Sequence, residues 1–388
     1  MMKNLLFAIV FCVISSQIIA QTLYKNIEST ILGSTRELKI QVPRGHDAYE
    51  NDGKKYPLVV VLDGDYLFEP VAGMVDYYSF WDDMPNSIVV GINQSETRDA
   101  DFLIDEVNAL PLDTGQQFFS FVMQEVLPYM EKNFNLEKFK MIVGHGKSAN
   151  YINYFMLKAE KEPTFQSFVA LGPDFASEMS SWIPDVASKT ETKLFYYLAT
   201  STNDIPKIKE DTEALITSLK AVESNKNFFF NGDTFDGPSH YALPAHSFAK
   251  ALENTFFVYQ PISKKEYTDV ILKLSGNPVD YLKEKYETIE DLFGIDKQIL
   301  VNDFRAIYAA IRKSEKWEPL EELAKMASKQ YPDTNLGKYY LARFYEEILE
   351  PKKALKTYQS AYIFEDSPVI NKDQILEKIE EMKAEYGL

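Results

Sequence analysis

A single cysteine, Cys12, and four histidines are spread over 388 residues. One cysteine cannot form an internal disulfide, and Cys12 lies in an N-terminal segment that reads as removable. The mature chain is therefore expected to rely on its core, without cystine or thiol chemistry. The histidines (His46, His145, His240 and His246) form no cluster with carboxylates at metal-ligand spacing, so neither a metal centre nor another cofactor is expected. Positive charge is in the minority: 41 Lys and Arg face 58 Asp and Glu, net −17, which argues against nucleic acid or an anionic membrane as partner. Beyond residue 20 no apolar run reaches spanning length, so no transmembrane span is expected in the mature chain. Low-complexity stretches and long linkers are missing as well.

The N-terminus carries a signal of its own. Lys3 precedes an uncharged apolar run from Leu5 to Ala20, with Ile18-Ile-Ala20 before Gln21. A basic start, an apolar middle and a small residue at the cut form a secretory signal, cleaved after about Ala20. The protein is accordingly expected to be exported, to the periplasm or beyond. The whole chain is 45% hydrophobic, and its length is enough for one large or two medium domains.

From Gln21 to about Pro261, strand and helix patterns alternate. Leu38–Val42 alternates like a half-buried strand, while Tyr56–Leu62 and Ser87–Gly91 are continuous apolar runs, as in parallel strands covered on both faces. Further strands are expected at Phe139–Val143, Phe168–Leu171, Lys193–Leu198 and, last and short, Asn227–Phe230. Residues 116–133 place Phe118, Phe119, Val122, Val126, Leu127 and Met130 on one helical face. Helices are also expected at 149–161 and 207–224. This βαβ succession predicts an α/β fold with a mostly parallel sheet and helices on both faces. From Lys264 to Leu388 strand signals vanish. There, Leu320, Ala324, Ala327 and Pro332 align with Ala354, Tyr358, Ala361 and Asp366 at a spacing of 34, a tetratricopeptide-like period. The expected organisation is a signal at 1–20, an α/β domain at 21–261 and an all-α extension at 264–388.

The chemistry centres on Val143-Gly-His-Gly-Lys-Ser-Ala149, directly after a strand. Gly-Lys-Ser ends a phosphate-binding loop, but that loop needs a glycine where Met141 stands, inside the strand, so nucleotide binding is excluded. A nucleophile elbow fits instead: strand, sharp turn, small residues two positions either side of the tip, then helix. Gly144 and Ser148 are the small residues, which leaves Gly146, without a side chain, at the tip.

Several segments then resemble the α/β-hydrolase esterases related to esterase D and to bacterial periplasmic siderophore esterases. They are Tyr56-Pro-Leu-Val-Val-Val-Leu-Asp-Gly-Asp65, Ile88–Asn93 with Thr97-Arg-Asp99, Leu127–Lys132, Val143-Gly-His145 and Phe235-Asp-Gly-Pro-Ser-His240. The resemblance covers most of residues 22–260, and it implies an α/β-hydrolase fold, often with a helical tail. It places the base histidine at His240 and the orienting acid after Leu198, with Asp204 first and Asp233 or Asp236 as alternatives. Oxyanion donors would be the backbone amides of Lys147 and of a residue near Asp65. The nucleophile position falls on Gly146, where the family has serine.

Without a hydroxyl at the turn, covalent acyl transfer has no nucleophile. Ser148 is the substitute to weigh, although a helix turns about 100° per residue and would aim it elsewhere. Lys147 and His145 flank the tip on opposite sides. The expectation is thus an exported, esterase-like protein kept for binding or scaffolding in the cell envelope. It would hold an ester-like ligand in the cleft, or an envelope protein or peptide on the helical tail. The alternative is a working carboxylic ester hydrolase using His240 with Ser148 or an activated water. A plain ligand carrier is the third reading.

Overall fold

The computed structural model describes residues 22–105, 107–157, 163–222 and 225–387. The segment read as an export signal lies outside the described residues. The chain divides into two compact units, parting between Phe257 and Val258, a few residues before the change of texture expected after Pro261.

The first unit is built on a sheet of eight strands among the described residues: β1 Thr22–Ser29, β2 Ser34–Gln41, β3 Tyr56–Val61, β4 Ile88–Ile92, β5 Leu136–His145, β6 Ser167–Leu171, β7 Leu194–Asn203 and β8 Phe228–Ser239. Their order across the sheet is β1-β2-β4-β3-β5-β6-β7-β8. β1 pairs antiparallel with β2, and β2 with β4; every other pairing is parallel. This is the α/β-hydrolase fold expected from the sequence.

Continuous apolar runs mark the central strands because both faces are covered. Leu58, Val60, Ile88, Val90, Ile142, Phe168 and Tyr196 join one buried cluster with Phe118, Val122, Tyr151, Met179 and Leu215 from helices. The alternate residues Val59, Val61, Val89, Met141, Val169 and Phe195 are just as buried. Helices Gly64–Phe80 and Leu243–Thr255 pack against the sheet and each other, and Phe139 meets Phe195 and Phe256 edge-on or tilted.

Four local expectations are corrected. β1 was not anticipated: it is an edge strand whose Leu23 and Tyr24 stay exposed, so burial imposes no apolar pattern on it. β8 runs for 12 residues, well past the apolar Phe228–Phe230, because its pairing with β7 continues through Phe235 without needing apolar side chains. The helix read at 116–133 spans 114–133 and widens into a π turn at Val122–Val126. After β5, short helices at Lys147–Tyr151 and Asn153–Leu157 replace the single helix expected from 149, whose end lies outside the described residues.

The second unit is helical. Its main helices are Pro278–Phe293, Val301–Ser314, Pro319–Gln330, Leu336–Glu347, Pro351–Ala361 and Lys372–Tyr386, and successive ones from Pro319 onward pack closely. Of the positions aligned at a spacing of 34, Leu320, Ala324 and Ala327 fall on one helix and Ala354, Tyr358 and Ala361 on another, all buried, while Pro332 and Asp366 lie beyond the helix ends. Among the described residues no helix is long and apolar enough to cross a membrane.

Candidate active site

β5 delivers the site. It ends at His145, the chain turns at Gly146 (φ 62, ψ −119), and a helix starts at Lys147. A β-carbon on Gly144 would stand 2.5 Å from the Ser148 carbonyl carbon, so the returning helix leaves no room for a side chain there. The turn is fixed by its own peptide groups: Gly146 N–H donates to Leu171 O (3.1 Å), and Gly146 O accepts from Asp174 N–H (3.1 Å). Positive φ at the tip suits glycine.

Opposite the turn stands an imidazole–carboxylate pair. His240 follows β8, and its Nδ1 lies 2.7 Å from Asp204 Oδ1, at the end of β7. Asp204 also accepts from Thr200 Oγ1 (2.9 Å) and from the Ile205 amide (2.8 Å). Burial pushes this carboxyl's pKa up, but the hydrogen bonds from His240, the Ile205 amide and Thr200 outweigh it and hold it below the usual range. An ionised Asp204 accepts only, so Nδ1 carries the proton and a neutral His240 presents a lone pair at Nε2. That lone pair faces the turn: a β-carbon on Gly146 would lie 3.4 Å from Nε2. Gly172 makes room for the pair, since a β-carbon there would come within 3.1 Å of His240 Nδ1 and 3.2 Å of Asp204 Oδ2.

The three carboxylates weighed for the acid separate cleanly. Asp233 accepts from Tyr197 OH (2.8 Å) and Asp236 from Thr202 Oγ1 (3.1 Å); Asp204 is the one that meets His240. Ser148, weighed as a substitute nucleophile, is fully buried. Its hydroxyl donates to Asp63 Oδ2 (2.6 Å) and accepts from the His145 amide (2.7 Å), so it serves the floor of the site and does not line the cleft. Lys147 begins the helix at the cleft wall, and its ammonium pairs with Asp99 (2.7 Å). Asp65 lies in the first helical turn after β3, and its carboxylate accepts from the Gln94 and Ser95 amides. The neighbouring Tyr66 lines the cleft. His246 is exposed and His46 half-buried beside Tyr56.

The floor of this site is not evident from the sequence. Asp63, buried and left-handed (φ 55), accepts from Arg98 Nε (2.7 Å) and Nη2 (3.0 Å), from Ser148 and from Tyr66 OH (3.2 Å). Arg98 Nη2 donates also to His145 O (3.1 Å), which ties the floor to the turn. Burial works against the Arg98 charge, yet the bonds to Asp63 hold its pKa above the ordinary value. The segments that hold both residues, Leu62-Asp-Gly-Asp65 and Thr97-Arg-Asp99, had stood out as family-like; nothing in their spacing says that they join.

His145 bridges floor and pair. Its Nδ1 lies 3.0 Å from Tyr66 OH, its Nε2 lies 3.1 Å from the His240 carbonyl, and the two imidazoles are 4.3 Å apart between centroids. Burial, then the nearby His240, lowers its pKa to about 4. A base with a depressed folded pKa is neutral in the native state while the unfolded chain takes up the proton. Stability is therefore full above about pH 6.5 and falls as pH drops toward 4, by up to about 3 kcal/mol. Urea unfolding of the native protein and His145→Gln between about pH 7 and pH 4.5 should show the native curve falling more steeply; parallel curves would contradict this.

The cleft over the turn measures about 400 Å³ and is lined by Tyr66, Arg98, Gly146, Ile205, Ile208, His240 and Tyr241, among others. That size suits a small ligand. Larger hollows of about 690 and 790 Å³ occur elsewhere, but no histidine lines either one.

A strand–turn–helix facing a histidine–aspartate pair, on this sheet, defines an α/β hydrolase. The sequence model of the Putative esterase family matches residues 29–162, and the chain belongs to that family. It is similar to an uncharacterised protein from Capnocytophaga ochracea, with 32% identity, a TM-score of 0.81, and coverage of 94% of this chain and 100% of that one. An IroE-like serine hydrolase from Shewanella oneidensis shares the fold at 17% identity, covering 80% of this chain and 99% of its own, with a TM-score of 0.57. The BES protein from Bacillus cereus does so at 19% identity, over 61% and 96%, with a TM-score of 0.52. The comparison with curated proteins gives no match.

Proposed function

We propose that this is an exported esterase-like protein that has lost its nucleophile and uses the cleft for binding without covalent catalysis. One observation carries the reading: an intact His240–Asp204 pair points Nε2 at Gly146, where no side chain can form an acyl-enzyme. Ser148 does not repair the loss, because its hydroxyl is buried and bound to Asp63. Export rests on the N-terminal pattern of Lys3 and the apolar run to Ala20. A scaffold role for the second unit, with an envelope protein or peptide docked on tetratricopeptide-like helices, is supported by the buried positions repeating every 34 residues.

The preserved pair favours one rival: an ester hydrolase in which His240 activates a water. Hydrolysis of a short-chain activated ester by residues 21–388 separates the two. Turnover no faster than in buffer supports the binding reading. Turnover that is lost in His240→Ala supports the water-based hydrolase.

A further inference from the structure

In a serine hydrolase the serine hydroxyl donates its hydrogen bond to the imidazole nitrogen that faces it. In this chain that donor is missing, while the acceptor is kept. Asp204 accepts the hydrogen bond from Nδ1–H, so the imidazole's free lone pair sits at Nε2, with no partner on its own chain within the turn. The space in front of it is open because Gly146 has no side chain. A hydroxyl oxygen placed there comes within hydrogen-bond reach, about 2.6–3.2 Å.

The surroundings narrow the choice of donor. Arg98 Nη2 lies 3.7 Å from where a β-carbon on Gly146 would stand, so a second cation such as an ammonium is disfavoured. The oxygens of an ester can only accept, and would set lone pair against lone pair at Nε2 of a neutral imidazole. Tyr66, Tyr241, Ile205 and Ile208 give the cleft aromatic and aliphatic walls, with Lys147 and Asp174 also lining it. What fits is a neutral hydroxyl on a small apolar or aromatic body.

We propose that the cleft binds an alcohol or phenol in preference to an ester, with the ligand's hydroxyl standing where a serine hydroxyl would stand and donating to His240 Nε2. The loss of the serine then inverts the selectivity of the site, from the ester to the alcohol side of the reaction. This rests on the reading that Gly146 leaves no nucleophile.

Calorimetric titration tests it with matched pairs: benzyl alcohol against benzyl methyl ether, and phenol against anisole. Each alcohol should bind at least about tenfold more tightly than its ether, the worth of one hydrogen bond at a half-buried acceptor. Gly146→Ser, checked for folding by circular dichroism, places its own hydroxyl on Nε2 and should erase that preference. Equal binding of alcohol and ether, no measurable binding of either alcohol, or a preference that survives in Gly146→Ser overturns the proposal. Ester hydrolysis measured on the same samples keeps the two ideas apart. A native protein that hydrolyses ester removes the underlying reading. An inert native protein beside an active Gly146→Ser, with no preference for alcohols, removes only this inference.

Discussion

Gly146→Ser is expected to turn a protein that leaves an activated ester untouched into an esterase. Removing the nucleophile from a triad enzyme costs roughly a millionfold in kcat, with about 10³–10⁴ over water left from binding and the oxyanion site. Restoring it to a site that was never tuned for it should recover only part of this, and we expect a gain of at least about a hundredfold in kcat/KM. The structure favours the gain because nothing else needs to move. Nε2 already lies 3.4 Å from where the new β-carbon would stand, and the close approach at Gly144 still sharpens the turn. The tip is positive in φ, so the serine is strained at a cost of order 1–3 kcal/mol, the usual condition of an elbow nucleophile. A slightly lower melting temperature should therefore accompany the gain. If Gly146→Ser folds and remains inert, the pair is a structural remnant and the cleft is not a preserved esterase site.

Asp204→Asn in the Gly146→Ser background should remove most of that activity. The carboxylate fixes the Nδ1–H tautomer of His240 and stabilises the imidazolium that forms during reaction; an amide can present its NH2 and select the wrong tautomer. A loss of about a hundredfold or more in kcat with little change in KM is expected, since Asp204 acts through His240. Asp233→Asn and Asp236→Asn serve as controls. Each bonds a neighbouring hydroxyl away from the imidazole and should leave kcat within about threefold. A comparable loss in either control would assign the acid differently.

The sheet was legible in the sequence wherever burial dictates it. β3, β4 and β6 are covered on both faces, so their apolar runs announced them. β1 escaped because an exposed edge strand has no such constraint, and most of β8 escaped because its backbone pairing continues through polar residues. The elbow was legible because steric crowding at Gly144 restricts residue type at fixed spacing from the tip. The choice among Asp204, Asp233 and Asp236 was not, because three carboxylates on or just after the neighbouring strands β7 and β8 differ only in direction. The floor built from Asp63, Arg98, Tyr66 and His145 was out of reach for a related reason. Asp63 and Arg98 are 35 residues apart and Tyr66 and His145 are 79 apart, on separate strand ends that only the parallel sheet brings together. Ser148 shows the same limit: its helical position said that it turns from the tip, whereas its bond to Asp63 is a tertiary fact.

The central claim is that the native cleft holds an oriented base and no nucleophile. Intact-mass measurement after exposure to a fluorophosphonate, which phosphonylates an activated serine, tests it most directly. An unchanged mass is expected for residues 21–388, and a single adduct, located on residue 146, for Gly146→Ser. A stoichiometric adduct on the native protein, mapped to Ser148 or to any other side chain in the cleft, would contradict it.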